Sequence, residues 1–392
     1  MTRINLSKSN DSTAVMGRID ALTGVRILAA GAVFLSHALV IDTVPTTLRV
    51  FMSAGYNGVT IFFMLSGFVL AWNYHDRLAG LRARNLWSFF IARFARIYPL
   101  YLFALILAVS PLIALGTIDA SVWWHVFALQ SWDPSVANAF KFNRPGWSIG
   151  VEFFLYACFP LVLVLLRKAG TKALVVILLT ITVALFALTA WFVATGRGSL
   201  DATDLESAHR WLYRTPVSRL GDFTIGVIAA LLLIRGATAP RWSIHAAQFG
   251  GLAGIIALMA NGLLLNTAWS LDAAYVIPSF LLIWGLAAGS DTRFARALSS
   301  RPMVLLGESS FAFYLLHTFV IDHFSVGGLT TVRGWAFLLI IQFVFAVLLA
   351  IGAHIAIERP AQKWLRSRLD PRRPVPPLPV TDVVTVEARQ AP

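Results

Sequence analysis

Cysteine and charge are what this sequence has least of. A single cysteine, Cys158, stands among 392 residues, so a disulfide within the chain and a cysteine-built zinc site are both excluded. Charged residues make up 13% of the chain, against the roughly 25% usual in soluble domains, which argues against a soluble multidomain protein. Acidic residues are the scarcer sign, 19 against 32 basic, for a formal net charge of +13. No basic run alternates with aromatics along a polar domain, so nucleic-acid binding does not explain the excess. A P-loop and a G-x-G-x-x-G turn are missing, which leaves nucleotide hydrolysis and a Rossmann cofactor unsupported. No two histidines stand at H-x-x-H or H-x-x-x-H spacing, and no metal is expected.

What the chain does have is carbon. Hydrophobic residues reach 58% and mean hydropathy is +0.73. Apolar runs of roughly 20 residues recur, each long enough to cross a bilayer as a helix. Backbone groups in lipid must bond within their own segment, so the fold class is all-α and polytopic. Ten spans are expected, at 20–41, 55–74, 97–116, 147–166, 173–195, 216–234, 246–265, 272–289, 304–323 and 335–356. The stretch "SVWWHVFALQSW" (121–132) is too short to cross, and its three tryptophans suit a helix lying at the interface. With the N-terminus inside, inner segments hold 23 Lys and Arg and outer ones 7. That bias puts both termini in the cytoplasm. The domain plan is a cytoplasmic segment over 1–19, a transmembrane unit over 20–357 and a disordered, proline-rich cytoplasmic tail over 358–392. Residues 1–19 are polar with no small-residue cleavage site after the first apolar run, so that run is expected to be retained.

Ionisable residues inside spans are costly and face a bundle interior or a water-filled cavity. Arg26 and His37 are eleven residues apart, about 1100° of helix, so they share a face and lie ~16 Å apart along the axis. Arg26 sits toward the cytoplasm and His37 toward the outside. Glu152, about two turns into "RPGWSIGVEFFLYACFP" (144–160), lies at a depth similar to His37. Its carboxylate either holds the imidazole's second N–H or caps a packing contact as a neutral group. Asp222 in "SRLGDFTIG" (218–226) reads first as a partner for Arg219. Tyr314 and His317 share a face at i, i+3, and His317 is either a second proton-handling group or a satisfied buried histidine. Arg93 and Arg96, also at i, i+3, stand near the inner mouth of the third span. Their forked guanidiniums suit phosphate groups, or they are plain positive-inside anchors.

Five stretches together resemble the membrane-bound acyltransferase family 3. They are "IDALTGVRILAAGAVFLSH" (19–37), "VTIFFMLSGFVL" (59–70), "FIARFARIYPLY" (90–101), "WSIGVEFFLY" (147–156) and "SSFAFYLLH" (309–317), in the family's order. The resemblance implies an integral-membrane O-acyltransferase of the inner (plasma) membrane. Its donor would be a cytoplasmic acyl-coenzyme A, acetyl by default, taken as a substrate and not as a tightly bound cofactor. Its acceptor would be a hydroxyl of an envelope or secreted carbohydrate or glycolipid, and its other partners the membrane lipids. It also implies that His37 is catalytic with Glu152, and that Arg26, Arg93 and Arg96 face the acyl-coenzyme A. Trp147, Ser148, Tyr314, His317 and Asp222 then support the site or the substrate. One departure stands at "LTG", where many members read "LRG": Thr23 supplies no extra arginine, leaving Arg26 to carry the charge. The competing reading is a proton-coupled transporter or exporter of a glycan or small molecule, for which buried Arg, His and Glu are equally apt. The chain shows no half-to-half similarity of the kind that reading predicts.

Overall fold

The computed structural model describes residues 19–237, 239–324 and 331–370. The expected N-terminal segment, but for residue 19, and the proline-rich stretch over 371–392 lie outside the described residues. Every α-helix is numbered in chain order. The first half contains α1 (Asp20–His37), α2 (Thr46–Ser53), α3 (Gly58–Tyr74), α4 (Ala83–Ala114), α5 (Val122–Val126), α6 (Val136–Ala139), α7 (Trp147–Arg167) and α8 (Thr171–Ala194). The second half contains α9 (Pro216–Ile234), α10 (Arg241–Ala260), α11 (Ala273–Ala288), α12 (Arg293–Leu298), α13 (Arg301–Glu308), α14 (Ser310–His323), α15 (Val332–Ala353) and α16 (Arg359–Leu369). Among the described residues no strand forms.

Eight segments among the described residues are long and apolar enough to cross a membrane, and the pair α13 and α14, bent by 65°, makes nine. The first of the ten expected spans is not among them. Its helix α1 is eighteen residues long and carries Asp20, Arg26 and His37, which lower its hydropathy. The third span begins earlier than expected, because α4 runs unbroken from Ala83 and takes Arg93 and Arg96 into the helix. The interfacial stretch forms α5 and the single turn Gln130–Trp132, with Trp123 and Trp124 exposed.

Small residues set the helix crossings. A Cβ added at Gly67 on α3 would stand 2.0 Å from the Phe223 carbonyl oxygen on α9, and one at Gly226 on α9 would stand 1.9 Å from that of Met64. The two glycines are reciprocal, and lipid-embedded helices associate most closely where backbones can touch in this way. Helix α1 is gripped similarly, with Gly307 of α13 against the Thr23 carbonyl and Gly24 against that of Leu298. The centre of the bundle is thus α1, α3, α9 and α14. Helix α8 is peripheral and buries only Leu174, Thr189 and Phe192.

The disorder expected from residue 358 onward does not begin there. After a π-helical turn (His354–Glu358), α16 packs along α4. The Trp87 indole N–H donates to the Leu369 carbonyl at 3.1 Å and the Ser88 hydroxyl to the Asp370 carboxylate at 2.8 Å. Arg359, Lys363, Arg366 and Arg368 give α16 its polar composition, and tertiary contact with α4 holds the helix.

Candidate active site

A cavity of about 320 Å³ opens between α1, α3, α4, α7 and the α13–α14 bend. Six of the residues singled out by sequence line it: Arg26, Arg93, Arg96, Ser148, Glu152 and Tyr314. Ser148, Glu152 and Tyr156 are spaced by four on α7 and form one stripe along its wall. Glu152 accepts a hydrogen bond from the Tyr156 hydroxyl, which in turn accepts from Ser66 at 3.4 Å.

The cavity is rich in donors. Arg26 donates from Nε to the Ser310 hydroxyl at 3.2 Å and lies 5.8 Å over the Phe62 ring. Its Nη groups have no hydrogen-bond partner among the described residues. Arg93 reaches the Tyr74 hydroxyl at 3.4 Å and lies over that ring at 5.5 Å, yet its buried Nε has no partner. Arg96 makes no hydrogen bond to the described residues. Glu308, on the same wall, is already paired with Arg359 at 2.6 Å. Three guanidiniums therefore face one carboxylate, Glu152, in a space they do not fill, which suits a ligand carrying several negative charges.

His37 and His317 stand outside this lining and pair with each other. His317 is fully buried on α14, and its Nδ1 bonds the Tyr314 carbonyl at 2.8 Å, so its Nε2 is left as an acceptor. That Nε2 lies 3.1 Å from His37 Nδ1, which also bonds the Val33 carbonyl at 3.0 Å. With its Nδ1–H shared between those two acceptors, His37 keeps a lone pair on Nε2. The Tyr314 ring, which lines the cavity, stands 6.2 Å from that of His317.

Of the two readings of Glu152, the hydrogen bond to His37 does not form: Glu152 accepts from Tyr156, and His37 Nδ1 instead meets His317 Nε2. The reason is rotational: the stripe that carries Glu152 faces α3 and α4, while His37 at the end of α1 faces α14. At the edge of α14 near His37, Arg144 and Asp322 pair at 2.8 Å, both half-exposed.

Trp147 is packed behind the cavity, 4.8 Å from Tyr213 and 6.3 Å from Phe63. Asp222 belongs to a separate buried network. Arg219 donates to Asp222 at 3.1 Å, to Asp272 at 2.5 Å, to the Leu271 carbonyl at 2.9 Å and to the Tyr213 carbonyl at 2.7 Å. It ties α9 to α11 and, through Tyr213, backs the wall that Trp147 builds. On the same α8–α9 connection the His209 ring packs 5.3 Å from Tyr213 and 6.0 Å from Phe140. Burial, with Arg214 and Arg219 nearby, pushes that imidazole down to about 4.

Tyr156, Ser66, Tyr74 and Ser310 were not singled out from sequence. Tyr156 was findable as the i+4 neighbour of Glu152. The other three come from α3 and α14, and only the packing brings Tyr74 and Ser310 to the arginines and Ser66 to Tyr156.

A family model described as an acyltransferase domain matches residues 19–359. Among curated relatives, the acyltransferase MdmB of Streptomyces mycarofaciens is 31% identical, over 93% of this chain and 96% of its own length. The exopolysaccharide production protein ExoZ of Rhizobium meliloti is 26% identical, over 80% of this chain and 92% of its own. The O-acetyltransferase OatA of Staphylococcus aureus is 24% identical over 80% of this chain, which spans 53% of that protein. No solved structure matches significantly.

Proposed function

We propose, from the premise that this chain belongs to the membrane-bound acyltransferase family 3 and is an acyltransferase, that it moves an acyl group from cytoplasmic acyl-coenzyme A to a carbohydrate hydroxyl. The acceptor is an envelope or secreted carbohydrate or glycolipid, and the default acyl group is acetyl. The proposal includes residence in the inner (plasma) membrane, with α1 as a tenth span and both termini in the cytoplasm. The relatives named for exopolysaccharide production and for O-acetyl transfer support the acceptor and acyl classes. The charge bias of 23 basic residues to 7 supports the orientation.

One observation carries the reading. The cavity presents guanidinium N–H groups of Arg26, Arg93 and Arg96 that have no hydrogen-bond partner among the described residues, and Tyr314 on its wall packs against His317, which meets His37. In this scheme Arg93 and Arg96 hold the phosphates of coenzyme A, and Arg26 flanks the thioester arm. His37 Nε2 removes the proton of the acceptor hydroxyl as its oxygen attacks the thioester carbonyl. The resulting imidazolium is steadied by His317 Nε2. The tetrahedral oxyanion needs a donor, and Tyr314 or Arg26 supplies it. When the carbon–sulfur bond breaks, the thiolate takes the proton back from His37, leaving an ester and free coenzyme A. Glu152, held by Tyr156, keeps the arginine cluster in place instead of orienting the imidazole.

The test supplies labelled acetyl-coenzyme A to membranes with and without the protein and follows base-labile label in the carbohydrate fraction. Label should depend on the protein and vanish with His37→Ala at equal membrane content. Undiminished labelling in that variant overturns the role of His37, and carbohydrate that acquires no label in either membrane overturns the acceptor class.

A further inference from the structure

The outward halves of α8 and α9, near their connection over 195–215, enclose a second space that the transfer scheme does not use. It is a groove of about 890 Å³, open along one side. Its floor is almost entirely carbon, from Leu185, Leu188 and Phe192 on α8 to Val217 and Leu220 on α9. Helix α8 buries few of its side chains and is long and apolar enough to cross a membrane, so the open side presents carbon where lipid would lie.

The mouth of the groove is different in kind. Arg197 lies 4.7 Å over the Trp191 ring and Arg210 lies 4.9 Å over that of Trp211. Arg197 is neutralised by Glu206 at 2.9 Å. Arg210 donates from Nη1 to the Leu205 carbonyl at 2.8 Å, and its Nε and Nη2 have no partner among the described residues. The third arginine of this connection, Arg214, is buried and its Nη1 and Nη2 donate to the carbonyls of Asp133 and Pro134. The charge bias makes this the side of the membrane poor in basic residues, so Arg210 is not explained as a positive-inside anchor. A carbon trough at hydrocarbon depth, topped by a guanidinium braced on an indole, has the two-part chemistry of a phospholipid: acyl chain below, anionic headgroup above.

We propose that the α8–α9 groove is a binding site for one anionic phospholipid, with an acyl chain along its floor and the headgroup phosphate at Arg210. The lipid completes the packing of α8, which otherwise touches the bundle along a narrow face, and holds the 195–215 connection over the groove.

Native mass spectrometry of the full chain in mild detergent tests this, with phosphatidylglycerol or phosphatidylcholine of identical chains added separately. One phosphatidylglycerol should be retained about fivefold more than phosphatidylcholine under the same activation. Arg210→Gln should cut the retained phosphatidylglycerol by about fivefold, to the level of phosphatidylcholine. Ala184→Trp, which fills the groove, should remove both adducts. An unchanged unfolding temperature in Arg210→Gln shows that its effect is local. Equal retention of the two lipids, or an adduct that neither variant reduces, overturns the proposal. A dimer that appears without lipid and is lost in Ala184→Trp overturns it too, and gives the groove to a second copy of the chain.

Discussion

Replacing His317 with leucine removes the ring nitrogen that stands 3.1 Å from His37 Nδ1 and leaves the Val33 carbonyl at 3.0 Å in place. His317 is fully buried among Phe34, Phe313 and Tyr314, so leucine fits the site without stranding a polar group. The lost bond matters most when His37 carries the acceptor's proton. A hydrogen bond to a charged group is worth about 1.5–3 kcal/mol, and each 1.36 kcal/mol is about tenfold in rate, so kcat should fall about 10- to 100-fold. The KM for acyl-coenzyme A should change less than about twofold, because His317 is not part of the cavity lining. His317→Gln, whose amide oxygen can accept the same N–H, should recover at least about half of that loss in free-energy terms. Free-thiol release from acetyl-coenzyme A by the purified full chain, with the acceptor in excess, separates kcat from KM. Wild-type kcat in His317→Leu refutes the coupling. Equal losses in both variants, with a raised KM, refute it as well, because they indicate general disruption.

Removing the cavity's cations should give the opposite kinetic signature. Arg93→Gln and Arg96→Gln should each raise the KM for acyl-coenzyme A about tenfold with kcat within about threefold, read from initial rates against donor concentration. At the α3–α9 crossing, Gly226→Ala places a carbon 1.9 Å from a backbone oxygen and should cost about 3 kcal/mol or more. Gly250→Ala, with nothing within 4 Å of the new carbon, should be neutral or mildly stabilising. Thermal unfolding followed by detergent-phase chromatography distinguishes the two. For His209, burial holds the imidazole pKa at about 4 against the 6.5 of the unfolded chain. The unfolded state therefore binds more protons between those values, and stability is lost as pH falls from about 6.5 to about 4. Because the ring keeps some exposure, the loss should be below the roughly 3 kcal/mol that the full shift implies. His209→Gln should flatten that part of the stability–pH curve, and an unchanged slope would remove His209 as its source.

The sequence by itself determined that the chain is a bundle of apolar helices, because continuous hydrophobic runs in a chain with 13% charged residues have no other stable arrangement in lipid. It also determined that Arg26 and His37 share a face, since helical periodicity fixes eleven-residue neighbours, and both do face α14: Arg26 at Ser310 and His37 at His317. The i, i+3 pattern likewise placed Arg93 with Arg96, and Tyr314 with His317, on single faces. Composition misjudged the start of α16 as disorder, where contact with α4 holds a helix. Which face meets which helix was decided only by the tertiary structure. The rotation of α7 turned Glu152 toward the arginines, and the seating of α14 beside α1 gave His37 a partner 280 residues away. Glycines whose missing side chains let backbones touch fix the α3–α9 crossing and the seat of α1, and the identity of the opposing atom at each contact is a long-range fact that no local spacing encodes.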